Sequence, residues 1–461
     1  MKFRDGLLAA RGHIVFLLGL LVAFSIIFAL ESWDPDPQAA EAPAIAPSPE
    51  IPEPSHAPLT ADEVQAAETA WAYFDQNIRP ETGLADTVAG FPATTMWDTG
   101  SFLLAAISAE RLGILPRPEF DQIITQALDT LATLPLYAGL LPNKSYDTTT
   151  LAMTDYANVP VDTGIGWSAL DIARILVPFH VLLRHYPQHA AGVDAVLDAW
   201  RIDAAVKDGV LVGAQPAGRG DYILLQEGRV GYERYAAKAF ALFGHDVHSA
   251  IRLDDTLGWH EVAGVEVPID KRGDDFGGHV YTVSDPYILD GLEFGFDALT
   301  RELAWRVYRA QEHRFNDTGT LTAVTEDHID REPHFIYSTV YGDGEPWAVL
   351  TDTGEDAAGF RILSTKAAIG WHALYQTSYT DRLVAAVSDQ ASPEGWATGP
   401  FEEIDAPNTA RASNTNGVVL TAMHYRVFGP LLHPRAENQA DTHQVETDQS
   451  APVRETVRPV P

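Results

Sequence analysis

The chain carries two copies of one short motif, Trp97-Asp98-Thr99-Gly100-Ser101 and Val161-Asp162-Thr163-Gly164-Ile165-Gly166-Trp167. Apolar residues follow each copy at helical spacing, which predicts an amphipathic helix after both. An Asp just before a helix is a favourable N-cap, because its carboxylate accepts hydrogen bonds from the free backbone N–H groups of the first turn. Capping alone would explain either copy. Two copies with Trp in a helix-rich chain predict instead that helix starts converge on one cleft lined by carboxylates and indoles.

The motif also matches two unrelated signatures. Asp98-Thr99-Gly100-Ser101 is similar to an aspartic-protease loop, in which two carboxylates share one proton. Those loops belong to β-rich folds, whereas both copies here lead into helical patterns, so a protease is disfavoured. Gly164-Ile165-Gly166 fits a loose dinucleotide-binding fingerprint, which requires a preceding strand. A Pro interrupts the segment before it, and we interpret this match as chance.

The composition of the chain excludes several classes of partner and of chemistry. Of its 461 residues 46% are hydrophobic, enough for a sizeable core. The formal net charge of −33 at pH 7 argues against nucleic acid and anionic membrane surfaces as partners. There is no Cys, so disulfides and thiolate metal sites are excluded. His245 and His248 are spaced for one helix face, but no third ligand is evident. We therefore expect no metal and no other cofactor.

The N-terminus carries a targeting signal. Lys2, Arg4 and Arg11 precede an uncharged apolar run from Ile14 to Leu30. We expect residues 1–13 to be cytoplasmic, residues 14–30 to form a single-pass transmembrane anchor in a bacterial inner membrane, and the bulk of the chain to lie in the periplasm. A cleaved signal peptide is the alternative.

Three segments follow the predicted anchor. Residues 31–59 contain eight prolines and predict an extended stalk. Residues 60–430 show no linker-like break and predict one domain. Residues 431–461 are polar, and we expect a disordered tail.

Helical patterns recur through this domain in consecutive pairs. They cover residues 61–78, 99–112, 117–133, 164–186, 190–203, 230–243, 245–253, 285–296, 299–313, 358–376, 380–389 and 410–427. Twelve helices in pairs predict an all-α fold, an (α/α)6 toroid of about six helical hairpins with short strands or loops at its mouth. An irregular α-solenoid is the structural alternative.

Acidic residues beside aromatic rings supply the candidate catalytic groups. Glycosidic cleavage needs one carboxyl that protonates the leaving oxygen and another that activates water or attacks the anomeric carbon. We expect Glu233 to be the proton donor, because Tyr232 and Tyr235 flank it and would raise its pKa. Its place in a first helical turn opposes that shift. Asp162 and Asp98 would bind hydroxyls or orient the attacking group.

The second catalytic carboxylate is expected in the acidic stretch from Thr325 to Asp330. That stretch is consistent with a catalytic rim, a calcium site or a solvated surface, and Glu326 or Asp327 within it is the candidate base. Asp285 precedes Pro286 in the manner of an N-cap, and we interpret it as structural.

Sugar rings also need apolar platforms and hydrogen-bonding partners. An aromatic residue at helical spacing belongs more often to the core than to a platform, so each candidate has a structural alternative. The candidate substrate-binding residues are Trp97, Asp98, Trp167, Tyr232, Tyr235, Tyr287, Glu293, Trp371 and Trp396.

Three further motifs complete a set that resembles a bacterial family known only as a domain of unknown function. They are Gly231-Tyr232-Glu233-Arg234-Tyr235, Ser364-Thr365-Lys366-Ala367-Ala368-Ile369-Gly370-Trp371 and Asn414-Thr415-Asn416-Gly417-Val418. The resemblance covers roughly residues 60–430. Members are often envelope proteins, and some are joined to glycosyltransferases of the cellulose-synthase type. The resemblance therefore implies an envelope location and makes a glycosyltransferase a candidate partner.

More remotely, the chain resembles the glycoamylase-like domains of endo-β-1,2-glucanases and cyclic β-1,2-glucan synthases, which fold as (α/α)6 barrels. Val161-Asp162-Thr163 matches their helix-opening Ile-Asp-Thr turn. Gly231-Tyr232-Glu233 differs by one residue from the Gly-Tyr-x-Glu helix start that supplies a catalytic-site acid there. We assign their second catalytic carboxylate to no position of this chain.

Residues and resemblance together predict a carbohydrate-active envelope protein. The leading hypothesis is a glycoside hydrolase or transglycosylase that uses paired carboxylates on a β-glucan or exopolysaccharide. The alternative is a non-catalytic partner of a polysaccharide synthase that binds polysaccharide or oligosaccharide. Whether the chain is an enzyme stays open at this point.

Overall fold

The computed structural model describes residues 45, 47–218, 220–273 and 280–434. The predicted cytoplasmic segment and anchor, the first part of the stalk and most of the tail lie outside the described residues. Within the described part of the chain, no helix combines the length and the apolar character that a membrane crossing requires.

Twelve α-helices follow one another along the described residues, and each overlaps a predicted one. They are α1 (Ala61–Asn77), α2 (Met96–Arg111), α3 (Arg117–Leu131), α4 (Ala169–His185), α5 (Ala190–Ala199), α6 (Tyr232–Ala241), α7 (His248–Ile251), α8 (Asp285–Leu289), α9 (Ala298–Thr318), α10 (Thr365–Tyr375), α11 (Ser378–Val387) and α12 (Ser413–Phe428). α8 continues as a π-helical turn over Asp290–Phe294. Short 3-10 helices lie at Pro187–His189, Ile202–Ala205, Ala358–Phe360 and Ser388–Gln390.

The even-numbered helices form a closed inner ring. Each packs against the next, from α2 through α4, α6, α8 and α10 to α12, and α12 packs against α2. Each odd-numbered helix lies outside, against the inner helix that precedes it in the ring, with α1 against α12. This arrangement is the (α/α)6 toroid of six helical hairpins that the pairing of helical patterns predicts.

Short strands occupy the connections that lead from an outer helix to the next inner helix, and they pair in antiparallel sheets of two or three strands. They are β1 (Ala93–Thr94), β2 (Leu136–Tyr137), β3 (Leu141–Pro142), β4 (Ser145–Asp147), β5 (Met153–Thr154), β6 (Val206–Lys207), β7 (Val210–Gly218), β8 (Asp221–Gln226), β9 (Leu257–Val262), β10 (Val265–Asp270), β11 (Tyr281–Thr282), β12 (Glu326–His328), β13 (Phe335–Ser338), β14 (Tyr341–Gly342), β15 (Glu345–Pro346), β16 (Val349–Leu350), β17 (Ala391–Ser392) and β18 (Gly395–Trp396).

The two ends of the toroid therefore differ. Inner helices begin at the end that carries these strands, which we call the mouth. They finish at the opposite end, the base, where short turns lead to the outer helices. Short strands at the mouth agree with the sequence-based expectation.

Hydroxyl side chains, rather than the two motif Asp residues, cap the first two long inner helices. Thr95 caps α2 by accepting from the backbone N–H of Asp98, so Asp98 is the third residue of the helix. Ser168 caps α4 in the same way. Asp162 lies in an exposed turn before α4. Neither motif Asp is therefore an N-cap, and the second motif copy is a loop and not the helix start that its pattern predicts.

Glycine allows the inner helices to approach one another closely. A Cβ atom added to Gly100 of α2 would lie 2.9 Å from the backbone of Arg174 in α4. One added to Gly370 of α10 would lie 2.5 Å from Ile288 of α8. The Gly of the Asp-Thr-Gly-Ser motif is thus explained by helix packing, which needs no protease chemistry.

Replacement of Gly370 by Ala tests this tight inner ring. We expect Gly370→Ala to lower the free energy of unfolding by about 1–3 kcal/mol, because the new methyl group overpacks the contact with Ile288. Gly359→Ala is the matched control, since a Cβ there meets nothing within 4 Å, and its effect should stay within about 0.5 kcal/mol. Urea unfolding measures both, and equal midpoints for the two variants would contradict the packing argument.

Candidate active site

The first turns of all six inner helices bring polar side chains to the mouth. They are Asp98 of α2, Asp171 of α4, Tyr232 of α6, Asp285 of α8, Lys366 of α10 and Asn414 of α12. Each helix start carries a partial positive charge, which favours carboxylates at this end of the toroid. Helix polarity therefore makes the mouth the natural place for an acidic site.

Lys366 is the centre of one acidic cluster. Its Nζ lies 3.2 Å from Asp285 Oδ1 and 3.1 Å from Glu326 Oε1. Glu326 opens β12, and the next residue, Asp327, is also buried. The Lys366 side chain is only 3% exposed, so nearby carboxylates must balance its charge.

This cluster holds more carboxyl groups than one cation can neutralise. Burial raises the pKa of Glu326 to about 7, an effect that Lys366 opposes and Asp285 reinforces. Burial also raises the pKa of Asp327 to about 8. Asp327 Oδ2 has no hydrogen-bond partner among the described residues. The cluster therefore retains protons near neutral pH.

Asp171 and Glu227 form a second carboxyl pair. The backbone N–H of Ala169 donates to Glu227 Oε2 at 2.6 Å, while Ser168 Oγ lies 3.2 Å from Asp171 Oδ1. Burial raises the pKa of Asp171 to about 8, and the charge of Glu227 adds to the shift. Burial also raises the pKa of Glu227, but hydrogen bonds from Ser168 and the helix start oppose that rise. The two carboxyl groups therefore titrate as a pair, and the pair retains a proton near neutral pH.

The two clusters lie near each other at the mouth, and we call the space between them the cleft. Asp98 lies within electrostatic reach of both Lys366 and Asp171. Tyr156, which is 63% exposed, is within reach of Asp171, and Tyr337 is within reach of both Tyr156 and Glu326. Asp98, and Tyr156 together with Tyr337, thus lie between the Lys366 cluster and the pair of Asp171 and Glu227, close enough to interact electrostatically with groups of both.

A buried network supports the floor of this cleft. Arg174 Nη1 donates to the Tyr235 hydroxyl at 2.6 Å and ion-pairs with Glu293, and the Tyr235 hydroxyl donates to Glu293 Oε2 at 2.7 Å. The Arg174 guanidinium carbon lies 5.5 Å from the ring centre of Trp97. Tyr235 and Glu293, both predicted to bind substrate, are fully buried. They support the floor from below.

Among the predicted aromatic residues, Trp97 and Tyr232 are partly exposed and lie at the mouth. Their ring centres lie 5.6 Å apart in an edge-to-face contact. The Tyr232 hydroxyl is within reach of Glu326. These two rings are therefore placed where a sugar could stack.

Glu233 lies in a different environment from the one expected. Its Oε2 accepts from Arg272 Nη2 at 2.6 Å and its Oε1 accepts from Gln226 at 3.0 Å. Burial raises the pKa of Glu233, and Arg272 opposes that rise. The pKa of Glu233 is therefore raised as expected, but the carboxylate is held in an ion pair with Arg272 that the sequence did not predict. This corrects the environment on which its expected role depends.

Four other candidates lie in the core. Trp167 and Trp371 are fully buried, and Trp396 and Tyr287 are nearly so. The indole N–H of Trp167 donates to the backbone oxygen of Val212 at 3.1 Å. Because such rings present no open face to a ligand, the interpretation of these four as platforms is corrected: they are core residues. Within the described residues, no group of three or more His and acidic side chains is arranged to hold a metal ion.

Sequence reasoning missed Asp171 and Glu227 and treated Asp285 as a cap. One signal was available, since Ser168 and Asp171 have the spacing of an N-cap residue and its N3 partner. Asp285 is the first residue of α8, and its partner Lys366 is distant in sequence. Only the closed ring brings these groups together.

The fold and the cleft define a glucoamylase-like toroid with a carboxyl-lined mouth. A glucoamylase-like protein from Bacteroides fragilis shares the fold with a TM-score of 0.57 at 12% identity, covering 84% of this chain and 94% of that one. An endo-β-1,2-glucanase from Chitinophaga pinensis, in complex with sophorotriose and glucose, gives 0.57 at 11%, covering 81% and 94%. An endo-β-1,2-glucanase from Talaromyces funiculosus, with sophorose, gives 0.52 at 11%, covering 81% and 85%. At these identities the likeness concerns the fold.

The chain itself belongs to the family described as "Protein of unknown function (DUF3131)", which matches residues 65–429. This confirms the family resemblance that the motifs indicate. No curated protein matches the chain.

The retained protons make stability depend on pH. An unfolded Asp has a pKa of about 3.9, whereas Asp327 and Asp171 keep their protons to about pH 8 in the folded chain. The folded state therefore binds more protons than the unfolded state between pH 7 and 8.5, and the free energy of unfolding should fall as pH rises. Asp327→Asn keeps a neutral group of similar shape, so we expect a flatter dependence in urea unfolding.

Asp381→Asn is the control for this measurement, because Asp381 lies exposed on α11. It should keep the parental slope. A parental slope in Asp327→Asn as well would show that Asp327 is already ionised in the folded chain at pH 7.

Proposed function

We propose that this protein is a carbohydrate-active enzyme that hydrolyses or transfers glycosidic bonds in a β-glucan or exopolysaccharide. The observation that supports this most is the pair of carboxyl clusters lining one cleft, with pKa values near neutrality at Asp171 and Glu326. Acid and base catalysis by two carboxyl groups is the chemistry of glycoside hydrolysis. Groups with pKa values near the working pH are the most effective in it.

Asp171 is the proposed proton donor. It is partly exposed and holds the proton of its pair, whereas Glu227 accepts from the helix start and is the more readily ionised. Asp171 would pass its proton to the leaving glycosidic oxygen. Glu227 would stabilise the donor's proton through its negative charge.

Glu326 is the proposed base, which keeps the role expected from the sequence. In its ionised form it lies beside the cation of Lys366 and would take a proton from the attacking water or sugar hydroxyl. Water as acceptor gives hydrolysis, and a sugar hydroxyl gives transglycosylation. Glu233, held by Arg272, is assigned a structural role.

The proposed substrate rests on two aromatic residues at the mouth and on solved proteins of similar fold. Trp97 and Tyr232 are partly exposed aromatic residues beside the carboxyl groups, and aromatic rings are the platforms on which pyranose rings stack. Two proteins of similar fold are endo-β-1,2-glucanases solved with sophorotriose and glucose or with sophorose. A β-1,2-glucan is therefore the first substrate to test.

We further propose that the domain is held in the periplasm by an inner-membrane anchor at residues 14–30, beside a glycosyltransferase that supplies or receives the polymer. The charged flank at Lys2, Arg4 and Arg11 and the apolar run support this topology. Protease added to spheroplasts should digest the domain and leave a short anchored fragment. Protection of the whole chain would contradict the topology, and release of soluble protein would indicate signal cleavage.

Matched carboxamide variants test the catalytic assignment. We expect Asp171→Asn and Glu326→Gln to lower the production of new reducing ends on the order of 10²–10⁴-fold, while glucan binding persists. Glu233→Gln is the matched control, which breaks an ion pair outside the proposed acid–base pair and should keep turnover close to the parent's. Activity is measured on β-1,2-, β-1,3- and β-1,4-glucans.

Two outcomes would overturn this assignment. If Glu233→Gln alone abolishes turnover, the proton donor is Glu233 as the sequence predicted. If the parent binds glucans but neither cleaves nor lengthens them, the protein is a non-catalytic binding partner.

The same assignment predicts a bell-shaped pH profile. Activity should fall below about pH 7 as Glu326 takes up a proton and above about pH 8 as Asp171 loses one. Measurement of kcat/KM from pH 5.5 to 9.5 tests this, since its limbs report essential groups of the free enzyme. Glu233→Gln should retain both limbs. A maximum near pH 5 would show that these two groups are not the acid and the base.

A further inference from the structure

Tyr156 is the most exposed large apolar residue in the part of the chain that the structure describes, with 63% of its surface accessible. It lies at the mouth, in the connection that leads from α3 to α4. Its ring contacts no aromatic ring and its hydroxyl makes no hydrogen bond among the described residues. Packing within the chain therefore does not explain this side chain.

The backbone that carries Tyr156 is nevertheless well held. Asp155 Oδ1 accepts from the backbone N–H groups two and four residues further along the chain, each at 2.9 Å. The side-chain amide of Asn158 donates to the backbone oxygen of Pro92 at 3.2 Å and to Asp147 Oδ2 at 3.0 Å. An ordered loop thus presents an unpaired ring, and little backbone freedom is lost when a ligand covers it.

Tyr156 also reaches across the mouth. Its connection precedes α4, whereas Tyr337 and Asp352 lie in the connection that precedes α10, which stands opposite α4 in the inner ring of six. Burial raises the pKa of Tyr156, and the charges of Asp171 and Glu227 beside α4 add to the rise. Asp352 on the opposite side adds to it as well. A side chain that is exposed and yet lies among groups from both sides stands over the opening.

The opposite side of the mouth holds a second ring beside the proposed base. The strand register pairs Glu326 of β12 with Tyr337 of β13, so both side chains project from the same face of the sheet. The Tyr337 ring stacks on Tyr281, with centres 4.4 Å apart and an interplanar angle of 17°. A supported ring therefore accompanies Glu326, whereas the unsupported ring of Tyr156 accompanies Asp171.

We infer that Tyr156 stacks on the sugar that leaves when the glycosidic bond breaks. The inference rests on the proposed role of Asp171, because the proton donor lies beside the oxygen that joins this leaving sugar to the rest of the chain. An aromatic face that covers the C–H face of a pyranose removes apolar surface of both from water. Tyr232, within reach of Glu326, and Trp97 beside it would hold the sugar that carries the anomeric carbon.

This assignment narrows the class of substrate. A platform for the leaving sugar contributes binding energy only when a sugar occupies both sides of the broken bond. The substrate is therefore an oligosaccharide or polysaccharide, and a glycoside with a small leaving group gains nothing from Tyr156.

Three variants test the contact between ring and sugar. Tyr156→Ala should weaken the binding of β-1,2-glucan oligosaccharides of two to six sugars roughly 10–100-fold. Tyr156→Phe keeps the ring and should bind like the parent. Val159→Ala is the matched control, because Val159 is 55% exposed on the same loop, and it should leave binding unchanged. Calorimetric titration measures all three in the Asp171→Asn background, which keeps a neutral group at the donor position.

Turnover with two leaving groups tests the side of the bond. A glycosyl fluoride with the anomeric configuration of the substrate places fluoride, and no sugar, on the leaving side. Tyr156→Ala should lower kcat/KM for the oligosaccharide by a factor similar to its loss of binding and keep kcat/KM for the fluoride close to the parent's. Equal losses with both substrates would place Tyr156 on the other side of the bond and overturn the inference.

The remaining outcomes separate this inference from the proposed function. If the parent cleaves glucan and Tyr156→Ala equals it in binding and turnover, the inference is wrong and the proposed enzyme stands. If the parent binds oligosaccharides but turns over neither substrate, the proposed activity and the leaving-side assignment are both refuted, and the titration still shows whether the ring contacts sugar. Binding of no β-1,2-, β-1,3- or β-1,4-glucan oligosaccharide would refute both proposals.

Discussion

The site depends on one buried cation. Lys366 enters the cleft from the first turn of α10 with its side chain only 3% exposed, and it meets Asp285 and Glu326 at ion-pair distances. A lysine in such a place is stable only when carboxylates surround it. The closed inner ring supplies them, because it brings the start of α8 beside the start of α10. The closed ring of inner helices is therefore also what allows the charge of Lys366 to be balanced.

The protonation of the cluster follows from the excess of buried carboxyl groups over buried cations. One lysine cannot neutralise Asp285, Glu326 and Asp327 together, and the desolvated surplus is held as neutral acid. Asp327 and Glu326 consequently keep protons close to neutral pH. Across the cleft, burial raises the pKa of Asp171 as well, and the charge of Glu227 adds to the rise. The fold thus produces titratable groups near neutrality at two places, and burial is the main cause at both.

The helical architecture was predictable from the sequence, whereas the site was predictable only in part. Apolar spacing is a local signal, and it predicted the twelve α-helices of the described residues and their pairing. Glu326 and Asp327 could be named as candidates because a run of acidic residues is also visible in a short stretch of sequence. Glu227 and Asp171 are separated by the whole α4–α5 hairpin, and their pairing depends on Gly213, where a Cβ would lie 2.5 Å from Glu227 Oε2.

The second motif copy shows why local patterns mislead. Val161–Trp167 reads as a helix start, yet Gly166 has φ +114°, and a Cβ there would lie 1.9 Å from the backbone oxygen of Ala214. Only glycine fits that approach, so the segment is a loop pressed against β7 and Trp167 is carried into the core. The same residues that suggested a sugar platform are thus used to fix β7, the strand that positions Glu227. Their contribution to the site is indirect.

The toroid separates its tasks between its ends. The base is closed by short turns, by residues 47–59 and by the buried side chains of Leu431 and Leu432. The mouth receives the helix starts, the unbalanced carboxyl groups and the strand hairpins, all of which are costly to pack. Because helix polarity places every inner N-terminus at one end, the acidic groups lie at the mouth and not at the base. Ser55 and Ala57 contact the base, so the segment before α1 runs along the face opposite the carboxyl groups.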